Sequence, residues 1–305
     1  MRKPDFFVVG HPRSGSGQMN GYLERHPDLW MAKKELHYFG SDLGYHDPPR
    51  TLDNFHSFFQ DAPASAQRVG EASTWYLFSE TAAQEIHDYN PDAGIIALLR
   101  NPISLLHSLH SHFVFRGDED IPDFGTALEA EQGRAAGTVT EPEYHIPADG
   151  LRYSRMVRYA PQIKRYFDVF GRENVHVVIN DDFRKDPREV FRGACRYLGV
   201  REDFPDFEEV FAPNQRARNS NRTVYSRAVQ DFLIHPQRQQ VLEGVRKSPV
   251  PGWRFTLRAM RRVNIKYVDR APMDEGLKSQ LKQRYLPHVE ELSELLDRDL
   301  THWCR

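Results

Sequence analysis

Residues 10–18, Gly10-His11-Pro12-Arg13-Ser14-Gly15-Ser16-Gly17-Gln18, gather glycines, hydroxyls and one fixed cation directly after the apolar run Phe6-Phe7-Val8-Val9. A strand, a tight loop and a helix N-terminus in that order leave backbone N–H groups without partners, and the helix dipole adds to their pull on an anion. Arg13, Ser14, Gly15, Ser16, Gly17 and Gln18 are therefore expected to hold a phosphate. The G-x-x-x-x-G-K-[ST] loop of nucleoside triphosphatases has the glycine spacing of Gly10 and Gly15, but Ser16 and Gly17 stand where its Lys and hydroxyl belong. A second apolar run, residues 94–99, ends in Arg100-Asn101-Pro102, close to where such enzymes place a metal-holding Asp. An arginine there repels a metal ion and attracts a second anion. Two anion sites without a metal carboxylate fit ATP chemistry poorly, so a degenerate P-loop kinase or NTPase is the disfavoured alternative.

Glu35 and His37 alternate, which on an extended segment turns both side chains to one face. Beside Lys33 and Lys34, these residues taken alone read as solvated surface charge. Of His107, His110 and His112, only the first two share a helical face, and no carboxylate or Cys completes a ligand set. No metal is expected, and packing or acceptor contact accounts for the histidines better. Between Arg246 and Lys266 stand seven basic residues (Arg246, Lys247, Arg254, Arg258, Arg261, Arg262 and Lys266) and no acidic ones. Such a segment is a solvated face or a dock for an anionic group.

Short β-branched runs alternate with longer periodic stretches, the pattern of a parallel sheet covered by helices. Strands are expected over 6–9, 95–99 and 175–179. Helices are expected from 51 to 59, 79–89, 102 to about 115, 153–170, 187–198 and 274–300, the last broken or kinked at Pro287. Residues 117–150 are rich in Gly, Pro, Asp and Glu, with periodicity only over 124–135. A mobile lid over the acceptor is expected there, a disordered insertion being the alternative. No internal repeat and no clear boundary divides the chain, so 1–305 is read as a single domain of 305 residues.

A net charge of −2 gives no electrostatic case for nucleic acid as a partner. The two cysteines, Cys195 and Cys304, make no disulfide framework and suit a reducing compartment. No run approaches the roughly 18 apolar residues of a membrane span. Arg2-Lys3 and the apolar run at 6–9 imitate a signal peptide, but that run is too short and passes straight into the loop. A cytoplasmic protein is expected.

Pro12-Arg13-Ser14-Gly15-Ser16-Gly17 resembles the P-[KR]-[ST]-G-[TS]-[TS] loop of the sulfotransferases that use 3′-phosphoadenosine 5′-phosphosulfate (PAPS). Arg100-Asn101-Pro102-Ile103-Ser104-Leu105-Leu106-His107-Ser108 resembles their R-[DN]-P-x-x-R-x-x-S segment. His26-Pro27-Asp28 with Lys34-Glu35-Leu36-His37-Tyr38-Phe39 is similar to the HP…KExHFF segment of the heparan-sulfate branch and many bacterial members. Gly70-Glu71-Ala72-Ser73 is similar to that branch's GExSP. Residues 170–175 with Asp181-Asp182-Phe183 and Asp186-Pro187, and the ending Asp299-Leu300-Thr301-His302-Trp303, resemble later parts of these proteins. The order of the matches, over most of the chain, is more specific than any one of them. Departures are Gly17 for a hydroxyl, Leu105 for a common Arg, and Thr74 for Pro.

The resemblance implies an α/β, P-loop-like three-layer fold with a central parallel sheet flanked by helices. It implies a sulfotransferase that moves a sulfuryl group from PAPS, without a metal, to a hydroxyl of a small-molecule, glycan or carrier-bound acceptor. The 5′-phosphosulfate falls to the loop, with Arg13 stabilising the leaving charge. The 3′-phosphate falls to Arg100 and Ser108. Glu35 is implied as general base with His37 as helper or alternative. Lys266 to Arg270 loosely resembles a late Lys-Gly-Arg phosphate loop with Tyr267 in the Gly position, which makes Arg270 a further candidate ligand. A non-catalytic nucleotide-binding relative is the second alternative, since fold does not fix function.

Overall fold

Phe6, Phe7, Val8 and Val9 are all fully buried, and with Gly10 they form strand β1, Phe6–Gly10. Burial on both faces is what a central parallel strand requires, and each such side chain stabilises by about 1.5–3 kcal/mol relative to exposure. The computed structural model describes residues 2–33, 35–44, 51–140, 146–147, 149–211, 222–234, 259–260, 262–268 and 270–305. β1 is joined in one sheet by β2 (Leu29–Met31), β3 (Arg68–Ala72), β4 (Gly94–Leu99) and β5 (Val175–Ile179). The order is β2-β3-β1-β4-β5 and every pairing is parallel, with Gly10 opposite Leu98 and Leu99 opposite Ile179.

Helices flank this sheet. On one side α1 (Ser16–Leu23) and α9 (Pro187–Leu198) give Met19, Leu23, Phe191 and Leu198 to a core shared with Phe6, Val8 and Ile96. Asp186 caps α9, accepting from Arg188 and Glu189 N–H at 3.1 and 3.0 Å, with Pro187 in the first turn. Elsewhere α3 (Ala82–Tyr89) packs on α7 (Tyr159–Phe170), where Ile86, Ile163 and Tyr166 are fully buried. The expected α/β architecture, a central parallel sheet flanked by helices, is what the structure has.

Two expectations are corrected. The single helix over 153–170 is two, Tyr153–Met156 (α6) and α7, because Pro161 would drive its ring into the carbonyl of residue 157 in a continuous helix. The last helix, Glu275–Leu296, is not broken at Pro287. Leu281, Tyr285, Val289 and Leu292 are buried at helical spacing on both sides of that proline, and their packing outweighs the lost hydrogen bond.

The chain divides into two compact units, the first holding residues 1–106, 154–214 and 278–305, the second 107–153 and 215–277. The second contains α5 (Phe124–Ala135), a helix over the one periodic stretch of 117–150, and the antiparallel pair β6 (Arg222–Val224) and β7 (Ile265–Tyr267). Within 117–150, Glu119 and Arg134 form a buried two-bond ion pair (2.6 and 2.9 Å), and Tyr153 Oη donates to Glu119 at 2.9 Å. Of the basic segment, Arg246, Lys247, Arg254, Arg258 and Arg261 lie outside the described residues, as does Lys34.

Candidate functional site

β1 and β4 are neighbours whose onward connections diverge, the chain after β1 leading to the β2 flank and the chain after β4 to β5. Open α/β sheets bind ligands beyond the carboxyl ends of strands at such a switch point. The loop that follows β1 carries Arg13, and the residue that follows β4 is Arg100.

The loop is shaped by left-handed backbone at Arg13 (φ 73°) and Gly15 (φ 113°). Glycine takes that conformation without cost, whereas Arg13 must be held in it. Arg100 Nη1 donates to the Arg13 carbonyl at 2.9 Å, and Asn180 Nδ2 donates to the Ser14 carbonyl at 3.0 Å. Drawing the Ser14 carbonyl toward Asn180 turns the Gly15 N–H the opposite way, since the two are antiparallel across one trans peptide. The Gly15 carbonyl starts α1, accepting from Gln18 and Met19 N–H at 2.9 and 3.1 Å. The first N–H groups of that helix have no intrahelical acceptor. Ser14 Oγ is buried with no hydrogen-bond partner among the described residues, and a Cβ at Gly10 would come within 2.8 Å of it. An orphaned hydroxyl, outward N–H groups and a fixed guanidinium fit the phosphate group expected here. Ser16 is buried, whereas Gly17 and Gln18 are exposed, and Gln18 Nε2 donates to Tyr22 Oη at 2.7 Å along the helix.

Arg100 is held from the other side by Tyr159, whose Oη donates to the Arg100 carbonyl at 2.8 Å. Burial lowers the Arg100 pKa from the usual guanidinium value, and the charge of Arg184 acts the same way. Tyr159 and, to a lesser degree, Asp181 offset this only in part. An arginine does not give up its proton in proteins, so this is a cation whose charge the protein compensates sparingly, a ready partner for an anion. The C-terminal turn docks beside it, with Asn101 Nδ2 donating to the Trp303 carbonyl at 3.1 Å and Trp303 Nε1 to Asp181 at 2.6 Å. His11, at the loop's entry, is pushed down to about 4 by burial, so its ring is neutral. Its Nε2 lies 2.8 Å from Gln162 Oε1, and the Gln162 amide is oriented by its own bond to the Arg155 carbonyl. The proton therefore sits on Nε2.

Glu35 and His37 meet, though not as the extended alternation predicts. The segment is neither helix nor strand, and His37 has φ 49°. The pair forms because the chain turns at His37, bringing its Nε2 to 2.9 Å from Glu35 Oε2. Thr74 Oγ1 donates to the same oxygen at 2.6 Å. Side chains from the β3–α3 stretch capture the segment's successive amides. Ser73 Oγ accepts from Leu36 and His37, Tyr76 Oη from Tyr38 and Phe39, and Glu85 from Gly40 and Ser41, all at 2.7–3.3 Å. The backbone polar groups of an irregular, half-buried segment are thus satisfied without a sheet.

In the second unit, Arg270 Nη2 donates to Ser108 Oγ at 3.1 Å across 162 residues of sequence. Arg270, with Arg222, His107 and Phe124, lines a cavity of about 350 Å³. His107 is pushed down to about 4 by burial and by the charges of Arg270 and His110. His110 Nε2 lies 2.9 Å from the Ile121 carbonyl, and both rings pack on Phe124 at 5.3 Å. No group of three potential metal ligands occurs among the described residues.

Thr74, Asn180 and Tyr159 join the site without having been singled out by their positions in the sequence. Thr74 had shown only as a departure from Pro, and a hydroxyl two residues beyond a buried strand was the one available hint.

No family model matches the chain. A bifunctional heparan sulfate N-deacetylase/N-sulfotransferase 1 from Caenorhabditis briggsae is 21% identical over 208 residues, 67% of this chain and 23% of that protein. A mouse heparan sulfate glucosamine 3-O-sulfotransferase 6 is 28% identical over 109 residues, 34% of this chain and 28% of its own. The chain thus spans about a quarter of the length of the curated relatives it matches. A crystal structure of a sulfotransferase from Alicyclobacillus acidocaldarius superposes over 100% of both chains, with a TM-score of 0.69 and 27% identity.

Proposed function

We propose that this chain, whose sequence and structural likenesses both run to the sulfotransferase family, transfers a sulfuryl group from PAPS to a hydroxyl of an acceptor. The bound nucleotide would supply the sulfuryl group, leaving adenosine 3′,5′-bisphosphate. One observation carries the reading: the Arg100 guanidinium lies on the carbonyl of Arg13, which joins the cation that follows β4 to the loop leading into the N-terminus of α1.

In this reading Arg13, Ser14, Gly15, Ser16, Gly17 and Gln18 hold the 5′ side of the nucleotide, chiefly through backbone N–H groups at the start of α1. Arg13 steadies negative charge on the leaving phosphate oxygen through paired hydrogen bonds, not as an acid. Arg100 takes the 3′-phosphate, and Ser108 and Arg270 keep the role of ligands to that same phosphate. With positive charge supplied by arginines, we assign no metal to the reaction. An alcohol is too weak an acid to lose its proton unaided, and Glu35 and His37, 2.9 Å apart, act as one proton-accepting pair. Thr74 fixes the carboxylate against rotation.

The acceptor is a hydroxyl-bearing small molecule, glycan or carrier-bound group. Residues 117–150 are proposed as its lid, within a single sulfotransferase domain. No helix among the described residues is long and apolar enough to cross a membrane, and both cysteines are unbridged. Free thiols suit the cytoplasm, where we place the protein.

A thermal-shift comparison tests the nucleotide. Adenosine 3′,5′-bisphosphate should raise the melting temperature more than ATP with magnesium does. The reverse order would favour a kinase or NTPase. An acceptor screen with labelled PAPS then separates an enzyme, which gives a labelled product, from a binding relative, which gives none.

A further inference from the structure

Beneath the Glu35–His37 pair lies a carboxyl group that the reading above leaves unused. Glu71 sits on β3 with no exposed surface, and its Oε2 makes no hydrogen bond among the described residues. A serine hydroxyl offers two lone pairs and one proton. Both lone pairs of Ser73 are committed to the Leu36 and His37 amides, at 2.9 and 3.0 Å, so its proton must find an acceptor elsewhere. That acceptor is Glu71 Oε1, which also takes a longer bond directly from the Leu36 N–H at 3.4 Å.

We propose that Glu71 is a positioning residue for the Glu35–His37 pair, acting through the Ser73 hydroxyl. By taking the hydroxyl proton, it aims both lone pairs at the segment and holds His37 in the left-handed conformation that sets its imidazole against Glu35. Without that acceptor the Ser73 proton would have to compete for one of the two amide-facing positions. The hydroxyl could then hold only one amide, and the turn at His37 would lose half of its support. The inference rests on the reading of Glu35 and His37 as the base.

The role needs an acceptor oxygen and not a charge. Burial raises the Glu71 pKa to about 7, against the hydrogen bonds of Ser73, the Leu36 amide and the Tyr76 hydroxyl and with the help of the Glu35 charge. Either protonation state leaves a carbonyl-type oxygen for Ser73. A glutamine amide offers the same oxygen, whereas leucine offers none.

The test is residue-resolved amide exchange on Glu71→Gln, Glu71→Leu and Ser73→Ala, with turnover measured beside it. Leu36 and His37 should exchange about tenfold faster in Glu71→Leu and Ser73→Ala, while Tyr38 and Phe39, held by Tyr76, change less and the β4 amides not at all. In both variants kcat should fall roughly tenfold with acceptor KM and bisphosphate affinity kept, and Glu71→Gln should stay within about threefold of wild type. If Glu71→Leu does not fold, Ser73→Ala and Glu71→Gln carry the same comparison. Wild-type exchange at Leu36 and His37 in Ser73→Ala, or a Glu71→Gln as impaired as Ser73→Ala, overturns the proposal. The exchange readout does not depend on which group is the base. Should Glu35→Gln and His37→Ala retain full turnover while exchange responds as expected, the base assignment fails and the hold of Glu71 on the segment stands.

Discussion

Replacing Gly15 with Ala tests the loop most directly, because two separate costs can be told apart. The first is backbone strain. At φ 113° a residue with a Cβ occupies a region that L-residues avoid, a penalty of about 1–3 kcal/mol. The second is a collision, since the new Cβ would lie 2.8 Å from Asn180 Nδ2. Asn180 can relieve it only by releasing the Ser14 carbonyl, and a buried carbonyl without its donor costs about 1–3 kcal/mol. Gly15→Ala should therefore lose about 2–6 kcal/mol in urea denaturation, the sum of the two. Asn180→Ala alone should lose only the second amount. In the double variant the collision is gone and only the strain is added, so the two losses should fall short of additivity by about 1–3 kcal/mol. Titration calorimetry with adenosine 3′,5′-bisphosphate reads the same cycle in function. All three variants should bind more weakly, because the Gly15 N–H is aimed by the Ser14 carbonyl. Strictly additive losses, or a Gly15→Ala protein with wild-type stability and affinity, would refute the account of how the loop is held.

Glu35→Gln should reduce turnover by a factor on the order of 10² or more with bisphosphate affinity nearly unchanged; if only His37→Ala does this, the imidazole is the base. Thr74→Val keeps the shape but removes a hydrogen bond to the Glu35 carboxylate, and steady-state kinetics should show kcat down by roughly tenfold without a change in nucleotide affinity. The two buried ionisable groups should give pH dependences of opposite sign. His11 has a folded pKa near 4 against 6.5 unfolded, so the unfolded chain binds more protons between those values. Its contribution is complete above pH 6.5 and lost as pH falls toward 4, so wild type should lose about 3 kcal/mol relative to His11→Gln over that range. Glu71, raised to about 7, works the other way: its contribution is complete below 4.5 and lost as pH rises through 7. Glu71→Gln should gain about 3 kcal/mol on wild type over that rise, measured by urea denaturation at pH 4.5 and pH 8. Equal gaps at both pH values would show that neither group titrates as its burial demands.

The amino-acid sequence by itself carried what depends on neighbours along the chain. The apolar run at 6–9, the glycines and hydroxyls that follow, and the arginine closing the run at 94–99 announce an anion loop and a second cation, because strand, turn and helix start are local patterns. Periodicity likewise placed the helix at 187–198. β2 and β3 were not visible in this way. Leu29–Met31 has three residues, and Arg68–Ala72 carries a charge at each side of a glycine, so neither shows an apolar run. Tertiary structure alone decided which polar groups meet. Asn180 reaches Ser14 across 166 residues, Arg270 reaches Ser108 across 162, and Thr74 and Ser73 grip a segment nearly forty residues earlier. A hydrogen bond is specific only within about 3 Å, and no spacing in a sequence encodes which distant hydroxyl or amide the packed sheet will bring that close.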